Sequence, residues 1–118
     1  MKIAVVGSRA FSDYTHMCDV LAPLCPPGTI IVSGGASGAD RLAERFAGQY
    51  GLATEIYPAD WETHGKAAGP IRNKLIVAAC DSVVAFWDGH SRGTINTIEL
   101  ARAAGKPVTV VLFKEMER

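Results

Sequence analysis

No disulfide framework, no zinc site and no membrane span can be read from this chain. Cys18, Cys25 and Cys80 are odd in number and lack CxxC spacing, which fits a reducing compartment. His64 and His90 fall in separate loops without metal-ligand spacing, so no metal is expected. No apolar run approaches the length a bilayer requires, and the opening MKIAVVGS is too short for a signal peptide. A cytoplasmic chain with no membrane partner is the expectation. Neither sign of charge is in surplus: 12 basic side chains face 12 acidic ones. That balance weighs against broad electrostatic capture of nucleic acid, which is therefore not the expected partner, although a local basic patch remains compatible.

Two nucleotide motifs are also missing. The first apolar run is followed by GSRAF rather than GxGxxG, and the second ends in SGG without an acidic residue for a ribose. Nothing matches GxxxxGK[ST]. ATP hydrolysis and NAD-dependent hydride transfer thus lose their usual residue sets. Ser33 and Ser37 have no spaced histidine-plus-carboxylate set that would make either a nucleophile.

What the chain does hold is a strand, a glycine turn and a helix in immediate succession. In IIVSGGASGAD, residues 30–40, the β-branched run of Ile30, Ile31 and Val32 reads as a buried strand. Ser33, Gly34, Gly35, Ser37 and Gly38 follow, and an amphipathic stretch opens near Asp40. This order can place backbone N–H groups around an anion, and glycine admits a ligand where a Cβ would block it. The same turn also serves packing alone in open α/β sheets.

At 118 residues, one domain is expected. Residues 2–7 form a continuous apolar strand. Tyr14, Met17, Cys18, Leu21 and Leu24 make a helical stripe that Pro23 bends or ends. The second strand covers 29–33, and its helix carries Ala39, Leu42, Ala43, Phe46, Ala47 and Tyr50 on one side, with Gly51 at C′. A third strand spans 52–57. Residues 58–69, PADWETHGKAAG, lack a clear period, and Pro70 is expected to open the next helix, with Ile71, Leu75, Ala78 and Ala79 as its apolar side. Strand four covers 82–86, a helix 94–104 and strand five 108–113, followed by a charged tail.

Five strands alternating with four helices predict an α/β fold: helices on both faces of a parallel five-stranded sheet with right-handed crossovers, in order 3-2-1-4-5. The ends of strands one, two and four would then deliver Gly7-Ser8-Arg9, Ser33-Gly34-Gly35 and Trp87-Asp88-Gly89 to one crevice.

Ser91-Arg92-Gly93-Thr94 is a second candidate anion turn, offering N–H groups, a hydroxyl and a guanidinium; Thr94 alternatively serves as a plain N-cap. Arg9 is placed to pair with a phosphate or carboxylate, or stands as a solvated loop charge. Arg72 and Asn73 fall in a first helical turn, where a cation opposes the helix dipole and asks for a partner: a bound anion, or Asp60, Glu62 or Asp88. Trp61 and Trp87 would stack on a base or nicotinamide ring, or cap the core.

GSRAF at 7–11, SGGASGADRLAERFA at 33–47, PADW at 58–61, GKAAGPIRN at 65–73 and AFWDGHSRGT at 85–94 together resemble the YspA-like family. That family sits in the SLOG superfamily, which joins the DNA-processing DprA/Smf proteins to the LOG phosphoribohydrolases. The resemblance implies a single-domain Rossmann-like three-layer sandwich and a pocket for a nucleotide-derived ligand. By analogy with LOG proteins it also implies a homodimer. Arg72 looks like the LOG catalytic arginine, with Asn73 where the lysine would stand, and Gly93-Thr94 looks like the phosphate-binding pair.

The LOG glutamate does not carry over. Thr97 occupies its position, and Glu99, two residues on, is rotated by about 200° away. Asp88 or Asp60 would have to supply the missing carboxylate. The leading expectation is therefore binding or sensing of a phosphorylated nucleotide-like small molecule such as ADP-ribose, NAD or a nucleoside monophosphate, with no other cofactor assigned. N-glycosidic hydrolysis of nucleoside 5′-monophosphates and single-stranded nucleic-acid binding, suggested by the DprA relationship, are the alternatives.

Overall fold

Alternation of side chains on the first strand fixes the layers. In β1 (Lys2–Gly7), Ile3 and Val5 project to one face of the sheet and Ala4 and Val6 to the other, and all four are buried. A computed structural model describes residues 1–114. It places β1 at the centre of a five-stranded parallel sheet in the order β3-β2-β1-β4-β5. The others are β2 (Ile30–Ser33), β3 (Ala53–Ile56), β4 (Ser82–Trp87) and β5 (Val108–Leu112). Strand β1 pairs in register with both neighbours, Ala4 opposite Val32 and Gly7 opposite Phe86, so the ends of β1, β2 and β4 open at one edge. The predicted sheet order and the single-domain Rossmann-like sandwich are both found. The predicted charged tail lies, beyond Lys114, outside the described residues.

Helices α1 (Tyr14–Leu21) and α2 (Ala39–Gln49) cover the face carrying Ile3, Val5 and Phe86. Met17, Leu21, Ala43 and Phe46 are fully buried there. At roughly 1.5–3 kcal/mol per large apolar side chain, this layer alone anchors both helices. Pro23 is the second residue of a 3-10 turn, Ala22–Leu24, that ends α1. Gly51, at φ +68°, follows the α2 C-cap, as the sequence predicts.

Helices α4 (Ala68–Ala79) and α5 (Arg92–Ala103) cover the other face, over Ala4, Val6, Val83 and Ala85. Two expectations fail here. The irregular stretch 58–69 contains a short helix, α3 (Trp61–His64), and a 3-10 turn, Gly65–Ala67, and α4 starts two residues before Pro70. Pro70 is tolerated at the third helical position because N–H groups of a first turn have no intrahelical acceptor.

The apolar side of α4 is also not the predicted one. Ile71 and Leu75 are exposed, whereas Asn73, Ile76, Val77 and Cys80 face inward. A buried asparagine interrupts the inward stripe, so apolar spacing alone selects the wrong face.

Candidate functional site

Two local devices shape the strand ends. After β1, the Ser8 N–H donates to the Phe86 carbonyl at 3.0 Å, and the Ser8 carbonyl accepts from Phe11 and Ala39, at 3.1 and 3.3 Å. After β4, the indole N–H of Trp87 donates to the Ser91 carbonyl at 3.0 Å, closing the 88–91 loop. Between them lies a crevice of about 410 Å³, within the range of ligand pockets.

Its rim after β1 is Gly7, Ser8 and Arg9, with Asp40 from α2. Helix α4 contributes Arg72 and Asn73, and the far wall is Asp88, Ser91, Gly93 and Thr94. Val6 and Ile76 supply apolar surface, and Ala10, Ala36 and Thr97 complete the lining; these five are not among the predicted residues. Helical phase gives the only sequence signal for one of them, Thr97, while Glu99 is exposed. A second hollow of about 250 Å³ shares Arg9, Ala36 and Arg72 with the first and extends over Gly34, Gly35 and Ser37 to Pro58, Ala59 and Trp61.

Four predicted residues line neither hollow. Ser33 is fully buried and its hydroxyl donates toward the Asp40 carbonyl and the Glu44 carboxylate, at 3.3 and 3.1 Å, tying β2 to α2. Gly38 packs its α-carbon against the Ser8 and Arg9 backbone. Arg92 is exposed on α5. Trp87 is half-buried, packs against the core and is held by the Ser91 carbonyl, which agrees with the core-capping alternative.

The electrostatics differ from what the glycine turns suggest, because each turn already holds a carboxylate of its own. In the 33–38 turn the Ala36 N–H donates to Oδ2 of Asp40 at 3.2 Å, and the Gly35 N–H donates to the Ser33 hydroxyl at 3.3 Å. In the 88–91 loop both His90 and Ser91 N–H groups donate to Oδ1 of Asp88 at 2.8 Å. Thr94 is not the α5 N-cap. That position is Ser91, whose hydroxyl accepts from Thr94 at 3.2 Å, and no side chain caps the helix. The N–H groups of Gly93 and Thr94 stay available at the crevice wall.

Arg72 finds partners other than those expected. Because α4 begins at Ala68, Arg72 lies in its second turn, and Nη1 donates to the Gly34 carbonyl at 2.9 Å while Nε donates to Oδ1 of Asn73 at 3.0 Å. Asn73 in turn donates to Oδ1 of Asn96 at 3.0 Å, linking α4 to α5. Neither Asp60 nor Asp88 pairs with Arg72; Asp60 caps α3 through the Thr63 N–H. The carboxylate whose charge does act on Arg72 is Asp40.

The two carboxylates are driven in opposite directions. Burial pushes Asp40 up to about 6, against the Ala36 N–H and the Arg72 charge, which pull it down. Burial also raises Asp88, but the His90 and Ser91 N–H groups with the Ser8 hydroxyl outweigh it and hold that carboxyl below the ordinary range. Asp40 therefore keeps its proton in the folded chain up to about pH 6, whereas an ordinary aspartate loses it near 3.8. The folded state binds the extra proton between those limits, so this group's contribution to stability falls as pH rises through them.

The net shift, with the attraction of Arg72 already inside it, corresponds to about 3 kcal/mol at most. Asp40→Asn should raise stability by about 1–2 kcal/mol at pH 7.5 and leave it unchanged near pH 4. Urea midpoints at the two pH values check this, and an equal effect at both would refute it.

A model of the YspA, cpYpsA-related SLOG family matches residues 1–64. The gene 61 protein of Mycobacterium phage D29 is 39% identical over 116 residues, covering 91% of this chain and 93% of that one. Among solved structures, DNA processing protein A of Streptococcus pneumoniae is similar over 98% of this chain, at 28% identity and a TM-score of 0.77. This chain spans about half of it, 52%. DNA processing protein A of Helicobacter pylori matches 99% of the chain, with 67% of its own length covered, at 24% identity and a TM-score of 0.71. That structure describes the protein's single-stranded DNA binding mode.

These likenesses correct the expectation that nucleic acid is not a partner. The same fold serves DNA-processing proteins, and a net charge summed over the whole chain says nothing of where Arg9 and Arg72 stand. With 39% identity to the phage protein along nearly its whole length and the family model over its first half, the chain belongs to the YspA, cpYpsA-related family of the SLOG superfamily.

Proposed function

We propose that this domain binds single-stranded nucleic acid, with the sugar and base of one nucleotide in the larger crevice and its phosphodiester beside Arg9 and Arg72. The observation that carries the reading is the charge count of the crevice. Two arginines line it together with two aspartates, and those aspartates already occupy the Ala36, His90 and Ser91 amides. A phosphodiester brings one negative charge, whereas a terminal phosphate brings nearly two at neutral pH and meets both carboxylates. The crevice therefore favours a link within a strand over a free nucleoside monophosphate. The likeness to the pneumococcal DNA processing protein, at 28% identity, supports DNA as the partner.

The hydroxyls of Ser8 and Thr94 suit a sugar, and Val6 and Ile76 give the crevice an apolar lining. Hydrolysis is the weaker reading, because Thr97 stands on α5 where LOG-type chemistry would place a carboxylate.

The test is fluorescence anisotropy with a labelled oligothymidylate at low ionic strength, competed by thymidine 5′-monophosphate. Binding should weaken with a log–log salt slope of about −0.7 to −1.4, one or two neutralised phosphates. The monophosphate should compete poorly. Affinity should also rise several-fold as pH falls from 7.5 to 5.5, because protonation of Asp40 removes a negative charge beside the phosphate. No anisotropy change at low salt, or competition by the monophosphate at equal concentration, would overturn the proposal.

A further inference from the structure

The hollow beside the crevice has a different character. Its charged lining groups are Arg9 and Arg72 alone, with no carboxylate among them, and its outer wall is Trp61. The indole is 52% exposed, an unusual position for the largest apolar side chain. Its helix and the edge of its ring nevertheless both have neighbours. Asp60 accepts the Thr63 N–H at 3.2 Å and holds the short helix that carries Trp61. A Cβ at position 69 would stand in ordinary contact, 3.5 Å from Cη2 of the indole, so the edge of the ring lies beside the start of α4. An exposed indole beside an arginine-lined hollow is a stacking platform.

We propose that this hollow takes a second base, stacked on Trp61, so that the unit recognised is a dinucleotide step rather than one nucleotide. The inference rests on the nucleic-acid reading above and adds what that reading leaves open, the ligand's length and the seat of its neighbouring base. Arg9, Ala36 and Arg72 line both spaces, which puts these two arginine residues at the junction, where the phosphate bridging two nucleosides would lie. A stacked base needs no hydrogen-bond readout, so this seat tolerates any base.

Calorimetry with two probes tests it: thymidine 5′-monophosphate and the dinucleotide pdTpdT. The dinucleotide should bind about tenfold more tightly, in line with one aromatic stack. Trp61→Ala should lower dinucleotide affinity to the level of the monophosphate while moving monophosphate affinity less than about twofold. Trp61→Phe should recover most of the loss, because the stacking face returns. A thermal melt confirms that both variants fold. Equal losses for both probes, or none for either, would overturn the second seat while leaving nucleic-acid binding intact. Failure of wild type to bind pdTpdT or a longer oligothymidylate would overturn both readings together.

Discussion

Gly38→Ala should destabilise the fold by about 3–5 kcal/mol, the largest effect expected of a one-carbon change in this chain. Gly38 has φ +77° and ψ −127°, a region that residues with a Cβ essentially do not enter. Space is lacking too. An added Cβ would stand 2.4 Å from the Arg9 carbonyl oxygen and 2.5 Å from that of Ser8. Both obstacles are backbone, and Ser8 is held by the Phe11 and Ala39 amides, so neither moves without breaking the start of α2. The urea midpoint should fall with little change in slope. Gly48→Ala is the control: its site in α2 is exposed with nothing near the added carbon, and it should stabilise by about 0.5–1 kcal/mol. Similar midpoints for the two variants would refute the account of Gly38.

Arg72→Ala should weaken binding of an oligothymidylate about 100-fold, with a stability loss of about 1–2 kcal/mol. The two effects have separate origins. Stability falls because the Gly34 carbonyl and the Asn73 side chain lose their donor. Binding falls because the guanidinium shared by both hollows is gone and the Asp40 charge beside it is left unbalanced. Arg72→Lys keeps the charge but not the planar fork that serves Gly34 and Asn73 together, so it should recover less than half of the loss. Retention of wild-type affinity by Arg72→Ala would remove the phosphate from the place proposed here. Anisotropy at fixed salt and pH reads the first effect, and urea unfolding the second.

The sheet and its strand order are legible in the chain because the physics behind them is local. Short apolar runs rich in β-branched residues at β1, β2 and β4 read as strands buried on both faces, and alternation with helices leaves few topologies. The crevice is legible for the same reason, since parallel strands must end at one edge. The face of α4 is not, because Asn73 is inward for a reason of hydrogen bonding to Asn96, which no hydropathy pattern carries.

The fate of the glycine turns divides along the same line. Asp88, three residues before Ser91, has the spacing of an aspartate that bonds the amides after it, and the chain holds that signal. Asp40 bonding backward to the Ala36 amide depends on how the turn folds over the start of α2, as does Trp87 reaching the Ser91 carbonyl. Gly38 reads as a ligand glycine in the sequence and is a packing glycine in the fold, because its neighbours come from a loop nearly thirty residues earlier.

The carboxylates of Asp40 and Asp88 have one more effect, on how the domain comes into being. Many glycine turns leave their peptide groups waiting for an outside anion, and such loops settle only once it arrives. Here the chain brings its own counterparts, one four residues after Ala36 and one two residues before His90. A newly made copy can close both of these loops without an outside anion to shape them.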